Sequence, residues 1–222
     1  MNLPGTQIGE QLITLFAAGM LVLQLLLVVQ PMLLTNIRLF ALQSLLLAGI
    51  AAIAAWFNKA MDVYIVAVLT VIGKVIFLPW LLDRQVRRIR IVQEIDPFLG
   101  APASMLICGA LTLLGYVVAR PVTLLGRLGN NTLAIAITLL LTGFYLMINR
   151  RKALTQVLAL LTVENGVMLA AVALTTYGMP LVVELGIFFD VMVAVMVLGI
   201  LVYRIRESFD SMDTSKLSKL RG

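Results

Sequence analysis

The stretch Leu154-Thr-Gln-Val-Leu-Ala-Leu-Leu-Thr-Val-Glu-Asn-Gly-Val-Met-Leu-Ala-Ala-Val-Ala-Leu-Thr-Thr176 decides the fold. It carries a single charged residue, Glu164, in a run long enough to cross a hydrocarbon core, which takes about 20 residues as a helix. Runs of the same kind recur on both sides of it, at 8–29, 37–57, 62–82, 101–119, 132–149 and 180–203. Of the 222 residues, 61% are hydrophobic and 13% charged, and the mean hydropathy is +1.05. A soluble domain carries roughly 25% charged residues. The chain therefore reads as an all-α, polytopic membrane protein of about seven transmembrane helices, because in lipid every backbone polar group must be satisfied within its own helix. A soluble domain with a single core is excluded.

Punctuation falls between the runs: Pro31 after the first, Asn58 and Lys59 after the second, Pro97 and Pro102 before the fourth, Pro121 after it, and Gly178 with Pro180 before the last. Pro79 lies inside the third run and predicts a bend near one end of that helix, which membrane helices tolerate. Met1 to Gln7 lacks a basic n-region, so the first run reads as a retained helix and not a cleaved signal.

Basic residues orient the helices. Counted on alternate sides of seven spans, one side collects Arg38, Arg84, Arg87, Arg88, Arg90, Arg150, Arg151, Lys152, Arg204, Arg206, Lys216, Lys219 and Arg221. The other has Lys59, Arg120 and Arg127. Basic loops stay preferentially in the cytoplasm, so this split predicts the N-terminus outside and the C-terminus cytoplasmic. It also accounts for the net charge of +6 without nucleic acid. The segment Asp83 to Pro97 is strongly basic, with Val86, Ile89, Val92 and Ile95 at helical spacing. It is expected to extend the third helix along the membrane surface and to meet anionic lipid.

Histidine is absent and Cys108 is the single cysteine, so this chain alone assembles none of the usual ligand sets for haem, iron–sulfur clusters or structural zinc. Cys108 sits in an apolar run and reads as a packed thiol. The chemistry that remains is charge. Lys74, Glu164 and Asp190 each fall about ten to twelve positions into a span, near the bilayer centre at 1.5 Å per residue. Each such charge costs about 2.5 to 3.5 kcal/mol on translocon scales, so the groups must pair or serve a function. One reading is a proton or ion relay. The other is a buried ion pair that fixes helix packing, for example Lys74 with Asp190. Thr162 and Asn165 flank Glu164, and Thr70 precedes Lys74 by one helical repeat, so these polar side chains are placed to hydrate or orient the charges. Glu184 lies near the outer end of the last span as a possible outer-mouth acid, and Glu10 starts the first within reach of the interface.

The expected organisation is a three-helix unit with its basic loop (1–97), a connecting helix (98–131), a second three-helix unit (132–204) and a tail (205–222). A shift of 113 residues superimposes Asn36 on Asn149, Arg38 on Arg151, Gln43 on Gln156, Leu45 on Leu158 and Leu47 on Leu160. A parallel repeat of the transporter kind produces such a pattern, and so does chance matching between leucine-rich helices.

The turn Asn149-Arg-Arg-Lys152, the stretch Leu158-Ala-Leu-Leu-Thr-Val-Glu-Asn-Gly166 and a further helix with a buried acid resemble the small K-type subunit of respiratory complex I and the C-type subunit of Mrp cation antiporters. The tail Met212-Asp-Thr-Ser-Lys-Leu-Ser-Lys-Leu-Arg-Gly222 is similar to the way those subunits end. With Gly73-Lys-Val-Ile-Phe-Leu-Pro79, Val163-Glu-Asn-Gly166 and Val183-Glu-Leu-Gly-Ile187 added, the whole chain resembles the hydrogenase-4 component E family of hydrogenase-4 and formate hydrogenlyase-like complexes. The resemblance implies a non-catalytic membrane-arm subunit in a bacterial or archaeal inner membrane. Its expected neighbours are antiporter-like subunits, a quinone-site-like membrane subunit, a soluble hydrogenase module and lipid. No cofactor is expected in this chain, and a nickel–iron centre and iron–sulfur clusters are expected in the partners. By position Glu164 looks like the first K-type carboxylate, and Asp190 stands where the K-type subunit has its second, a Glu. The rivals are a subunit of a cation/proton antiporter with no redox partner, and a purely structural membrane subunit.

Overall fold

A computed structural model describes residues 4–58, 61–89, 97–122 and 130–174. The expected seventh span, with Asp190 and Glu184, and the tail lie outside the described residues. All regular structure among the described residues is helical: α1 (Pro4–Val29), α2 (Leu33–Asn58), α3 (Met61–Thr70), a π-helical segment (Val71–Phe77), α4 (Leu78–Ile89), α5 (Ala101–Val122), α6 (Asn130–Asn149) and α7 (Ala153–Leu174). Five of these, α1, α2, α5, α6 and α7, are each long and apolar enough to cross a membrane.

The third run is helical without interruption from Met61 to Ile89, but in three pieces. Its irregularity is a π-turn just before Pro79 and not a break at the proline. Proline has no N–H to donate, and its ring crowds the carbonyl four residues earlier. Widening the preceding turn relieves that crowding, and the Leu78 N–H accordingly donates five residues back, to the Gly73 carbonyl. The helix then runs on through Ile89, beyond the expected end of the span and into the basic segment. Pro121 does not end α5, which continues to Val122. A proline in a last turn frees only one carbonyl, close to the helix end.

The helices pack as two hairpins, α1–α2 turning through 30–32 and α6–α7 turning through 150–152, with α7 at the centre. Of the most apolar stretch of α7, 72% is buried inside the protein, against 17% for the peripheral α5. Large apolar side chains such as Val22, Ile72, Leu106, Leu113 and Ile148 face outward. On a soluble protein such a surface would be a liability, whereas against lipid it is the required solvent-facing side.

Glycines set the closest approaches. A Cβ on Gly166 would stand 2.9 Å from the Leu140 backbone nitrogen, and one on Gly143 would stand 2.6 Å from the Val163 side chain. The α6–α7 crossing is therefore a small-residue contact of the kind that replaces hydrophobic drive inside membranes.

The interior is layered. One apolar cluster, including Leu27, Leu33, Phe40, Leu82, Cys108, Leu146 and Leu161, fills the end where both hairpins turn. A second, including Ala17, Met20, Leu47, Ile50, Leu139 and Leu169, fills the other half. Between them every inner helix contributes buried polar groups: Gln24 on α1, Gln43 and Ser44 on α2, Thr70 and Lys74 on the third crossing, Thr138 and Thr142 on α6, and Thr162, Glu164 and Asn165 on α7. The fold also brings Arg38, Arg84, Arg150, Arg151 and Lys152 to the turn end and Arg120 to the other.

Candidate functional site: a buried polar layer around Lys74 and Glu164

The polar layer is built from α7 outward. Thr162 and Asn165 are three residues apart and so share a face, which looks toward α1 and α2. The Asn165 amide donates to Gln43 Oε1 at 3.2 Å and to Ser44 Oγ at 3.1 Å. Gln43 Nε2 donates to Gln24 Oε1 at 3.0 Å and to the Met20 carbonyl at 3.3 Å. Gln24 Nε2 reaches Thr162 Oγ1 at 3.5 Å, and the Thr162 hydroxyl donates to the Ala159 carbonyl of its own helix at 2.7 Å. The circuit therefore leaves α7 at Asn165, crosses α2 and α1, and returns to α7 at Thr162. Gln43 and Gln24 each accept at Oε1 and donate through Nε2, an arrangement in which successive bonds polarise one another.

This circuit fixes the rotation of α7 about its axis. Glu164 stands about 100° round the helix from Asn165, off the face tied to α1 and α2. There its Oε1 lies 3.0 Å from Lys74 Nζ, and the two side chains are 2% and 3% exposed. Lys74 sits at the middle of the π-segment, which packs on α2. Thr70 is buried on the same crossing. π-turns are rare and concentrate at functional positions, because the extra residue re-aims a side chain without ending the helix.

Of the groups singled out in the sequence, the fold brings Lys74, Glu164, Thr70, Thr162 and Asn165 into one layer. Lys74 pairs with Glu164, where the sequence offered Asp190 as its example partner. Thr162 and Asn165 reach α1 and α2, and through them hold the α7 backbone on either side of Glu164. Glu10 is exposed at the start of α1. Sequence reasoning missed Gln24 and Ser44 and used Gln43 only as a repeat marker. The signal was present, an amide deep in an otherwise apolar run, but a hydropathy sum absorbs one neutral polar residue without trace.

A second polar cluster lies at the turn end. Arg150, 4% exposed, donates through Nη2 to the carbonyls of Leu27, Val28 and Gln30 at 3.1, 3.3 and 3.3 Å. It thereby caps the C-terminus of α1, whose last carbonyls lack helical partners and carry partial negative charge. Asn149 clamps the start of the α5 segment: Leu99 N–H donates to its Oδ1 at 2.8 Å, and its Nδ2 reaches Ser104 Oγ at 3.3 Å. Tyr145 donates to the same hydroxyl at 2.7 Å. Arg151 lies over the Phe98 ring, 4.3 Å from its centre. Among the described residues no group of three or more His, Cys, Asp or Glu side chains could hold a metal ion.

An ion pair buried between helices whose outer faces are apolar defines a class: a helical membrane protein with charge in its interior. Comparison with known proteins makes this specific. The family NADH-ubiquinone/plastoquinone oxidoreductase chain 4L matches residues 131–222. The chain is 32% identical to hydrogenase-4 component E of Escherichia coli over 82% of its length and 85% of the relative's. It is 34% identical to an uncharacterized protein of Mycobacterium tuberculosis over 93% of its length and 94% of that protein's. No solved structure matches it. The chain belongs to the hydrogenase-4 component E family, with a chain 4L-type domain as its C-terminal part. It is a multi-pass membrane subunit of the complex I-related kind.

Proposed function

We propose that this chain is a non-catalytic membrane-arm subunit of an energy-converting, hydrogenase-type complex, and that it places buried charge in a proton or ion path driven by redox chemistry in partner subunits. The observation that carries this reading is the Lys74–Glu164 pair, 3.0 Å apart and almost wholly buried between two apolar clusters. A carboxylate held there changes its proton affinity whenever a neighbouring charge changes, which is what electrostatic coupling along a membrane arm requires. In this reading Asp190 supplies the second carboxylate and Glu184 an outer-mouth acid. Antiporter-like and quinone-site-like membrane subunits flank the chain, and a soluble module holds the nickel–iron centre and iron–sulfur clusters. The setting is a bacterial or archaeal inner membrane.

The test is redox-driven ion uptake in inverted membrane vesicles carrying the assembled complex. The double variant Lys74→Met with Glu164→Gln removes both charges together, so neither is left buried alone. It is expected to assemble, to keep redox turnover and to lose uptake. A second reading has the pair itself in its favour: buried ion pairs also fix helix packing. Unchanged uptake in the assembled double variant would establish that structural role and remove translocation. Purification in mild detergent tests the host complex. Co-purifying nickel or iron–sulfur subunits support the reading, whereas antiporter-like subunits alone would replace it with a cation/proton antiporter.

A further inference from the structure

The two hairpins match position by position. α1 ends at Val29 and α2 starts at Leu33, while α6 ends at Asn149 and α7 starts at Ala153, each 120 residues further on. The Gln30 N–H donates to Leu26 and the Asn36 N–H to Met32; at the same shift the Arg150 N–H donates to Leu146 and the Gln156 N–H to Lys152. Turns of equal length would give that much, but the side chains agree as well. The Asn36 amide donates to the Gln30 carbonyl at 3.1 Å, and its counterpart, the Gln156 amide, donates to the Arg150 carbonyl at 2.9 Å. Deeper in each hairpin one pair of positions makes a tight contact, with the small residue exchanged. A Cβ on Gly19 would stand 3.0 Å from the Leu46 side chain, and one on Gly166, the counterpart of Leu46, would stand 3.1 Å from Leu139, the counterpart of Gly19. The shift of 113 sets Asn36 of α2 on Asn149 at the end of α6 and superimposes none of these contacts. Leucine-rich helices match in residue type at many shifts, whereas contacts match at one.

The hairpins lie side by side in the same sense, α1 against α6 and α2 against α7. The third crossing leaves the chain at the turn end, and α5 returns it, so that α6 starts where α1 did. At the shift of 120 the counterpart of Glu164 is Ser44, which is fully buried. Ser44 lies about two turns before Ala51 and three before Ala55, on the face of α2 that packs on Ala67 of α3. α2 and the third crossing run antiparallel, so two turns back along α2, from Ala51 to Ser44, match about two turns onward from Ala67 to Lys74. Packed helices stand about 8 to 10 Å apart, a gap that a lysine and a glutamate side chain span together. The Asn165 amide donates to Ser44 Oγ at 3.1 Å, and the same amide is a ready donor to a carboxylate.

We infer that the two hairpins are repeats of one structural unit, and that Ser44 occupies the acid position of the first: a second carboxylate site, held neutral, from which Lys74 can be reached as it is from Glu164. Lys74 belongs to the first unit and pairs with the second. One ammonium thus stands between two equivalent positions, and one acid suffices to balance it. A second acid at 44 would leave a net negative charge in the interior, which is costly, so the hydroxyl at 44 and the carboxylate at 164 are complementary. The two sites are the same whether or not the chain moves protons.

The experiment transplants the acid between the units of the full-length protein and reads thermal melts in detergent. Glu164→Ser strands Lys74 and is expected to lower the melting temperature by about 10 °C. Ser44→Glu alone adds an unbalanced acid and also lowers it. Ser44→Glu with Glu164→Ser exchanges each residue for its counterpart and is expected to recover most of the fall. Adding Lys74→Met to the exchanged protein removes the recovery, and Ser44→Gln with Glu164→Ser, which has the shape without the charge, does not produce it. An exchanged protein that melts no higher than Glu164→Ser, or a recovery that survives Lys74→Met, would overturn the inference. Should the exchanged protein fail to fold, cross-linking decides. In a Cys108→Ala, Glu164→Gln background, a bifunctional methanethiosulfonate is expected to join Lys74→Cys to Ser44→Cys and not to Leu45→Cys, about 100° further round α2. Equal cross-linking at 44 and 45, or none at 44, would overturn the inference.

Discussion

At the scale of single residues, the energetics of the layer turn on Lys74 and Glu164. Neither charge is tolerable alone at that depth, since removing one partner of a buried pair leaves the other uncompensated and costs about 3 to 5 kcal/mol. Lys74→Met and Glu164→Gln are therefore each expected to lower the melting temperature of the purified protein clearly. The double variant should recover most of the loss, so that thermal melts of the four proteins give a coupling energy well above zero. Additive losses would show that the two groups do not depend on one another. Both charges are legible in the sequence, because a lysine or a glutamate inside an apolar run stands out whatever surrounds it. Their partnership is not. Counting residues along the sequence puts Lys74, Glu164 and Asp190 at one expected depth, and choosing among pairs needs the rotation of each helix.

At the scale of elements, two local features control those rotations. The α6–α7 crossing depends on Gly143 and Gly166, where added Cβ atoms would meet side chain and backbone of the partner helix. Gly166→Ala is expected to destabilise by about 1 to 3 kcal/mol, the usual cost of overpacking. Gly73→Ala, whose Cβ would find nothing within 4 Å, is expected to be neutral, and parallel melts of the two variants check this. The π-segment controls the third crossing. Removing Ile76, which is exposed, returns that turn to ordinary helical spacing and rotates Lys74 by about 100° relative to α4. The expected outcome is loss of the pair, seen as a melting temperature no higher than that of Lys74→Met. Proline in the sequence announces an irregularity here. It does not say that the helix absorbs it by widening upstream, because that depends on whether the flanking pieces are held in line by α2.

At the scale of the whole molecule, the described helices form one body in which Arg150 ties the turn of the α6–α7 hairpin to the end of α1. Arg150→Gln gives up charge-assisted hydrogen bonds to three carbonyls, and about 1 to 3 kcal/mol of destabilisation is expected from them. Hydrogen exchange should rise at 26–30 while the amides of α7 near Glu164 remain protected. Equal rises at both places would mean that the two polar clusters are not independent. By itself, the sequence determined the helical class, six of the runs that become helices and the depth of the two paired charges. These follow from how much apolar length lipid demands and from the conspicuousness of a charge. Only the tertiary structure decided that Lys74 meets Glu164 and that Gln24, Gln43 and Asn165 close a circuit behind it. The physical reason is that lipid and protein interior are equally apolar, so a membrane helix carries almost no hydrophobic stripe to mark its inward face. Which side of α2 or α7 looks inward is settled by small-residue contacts and buried amides meeting across helices, and those meetings exist only once the helices are packed.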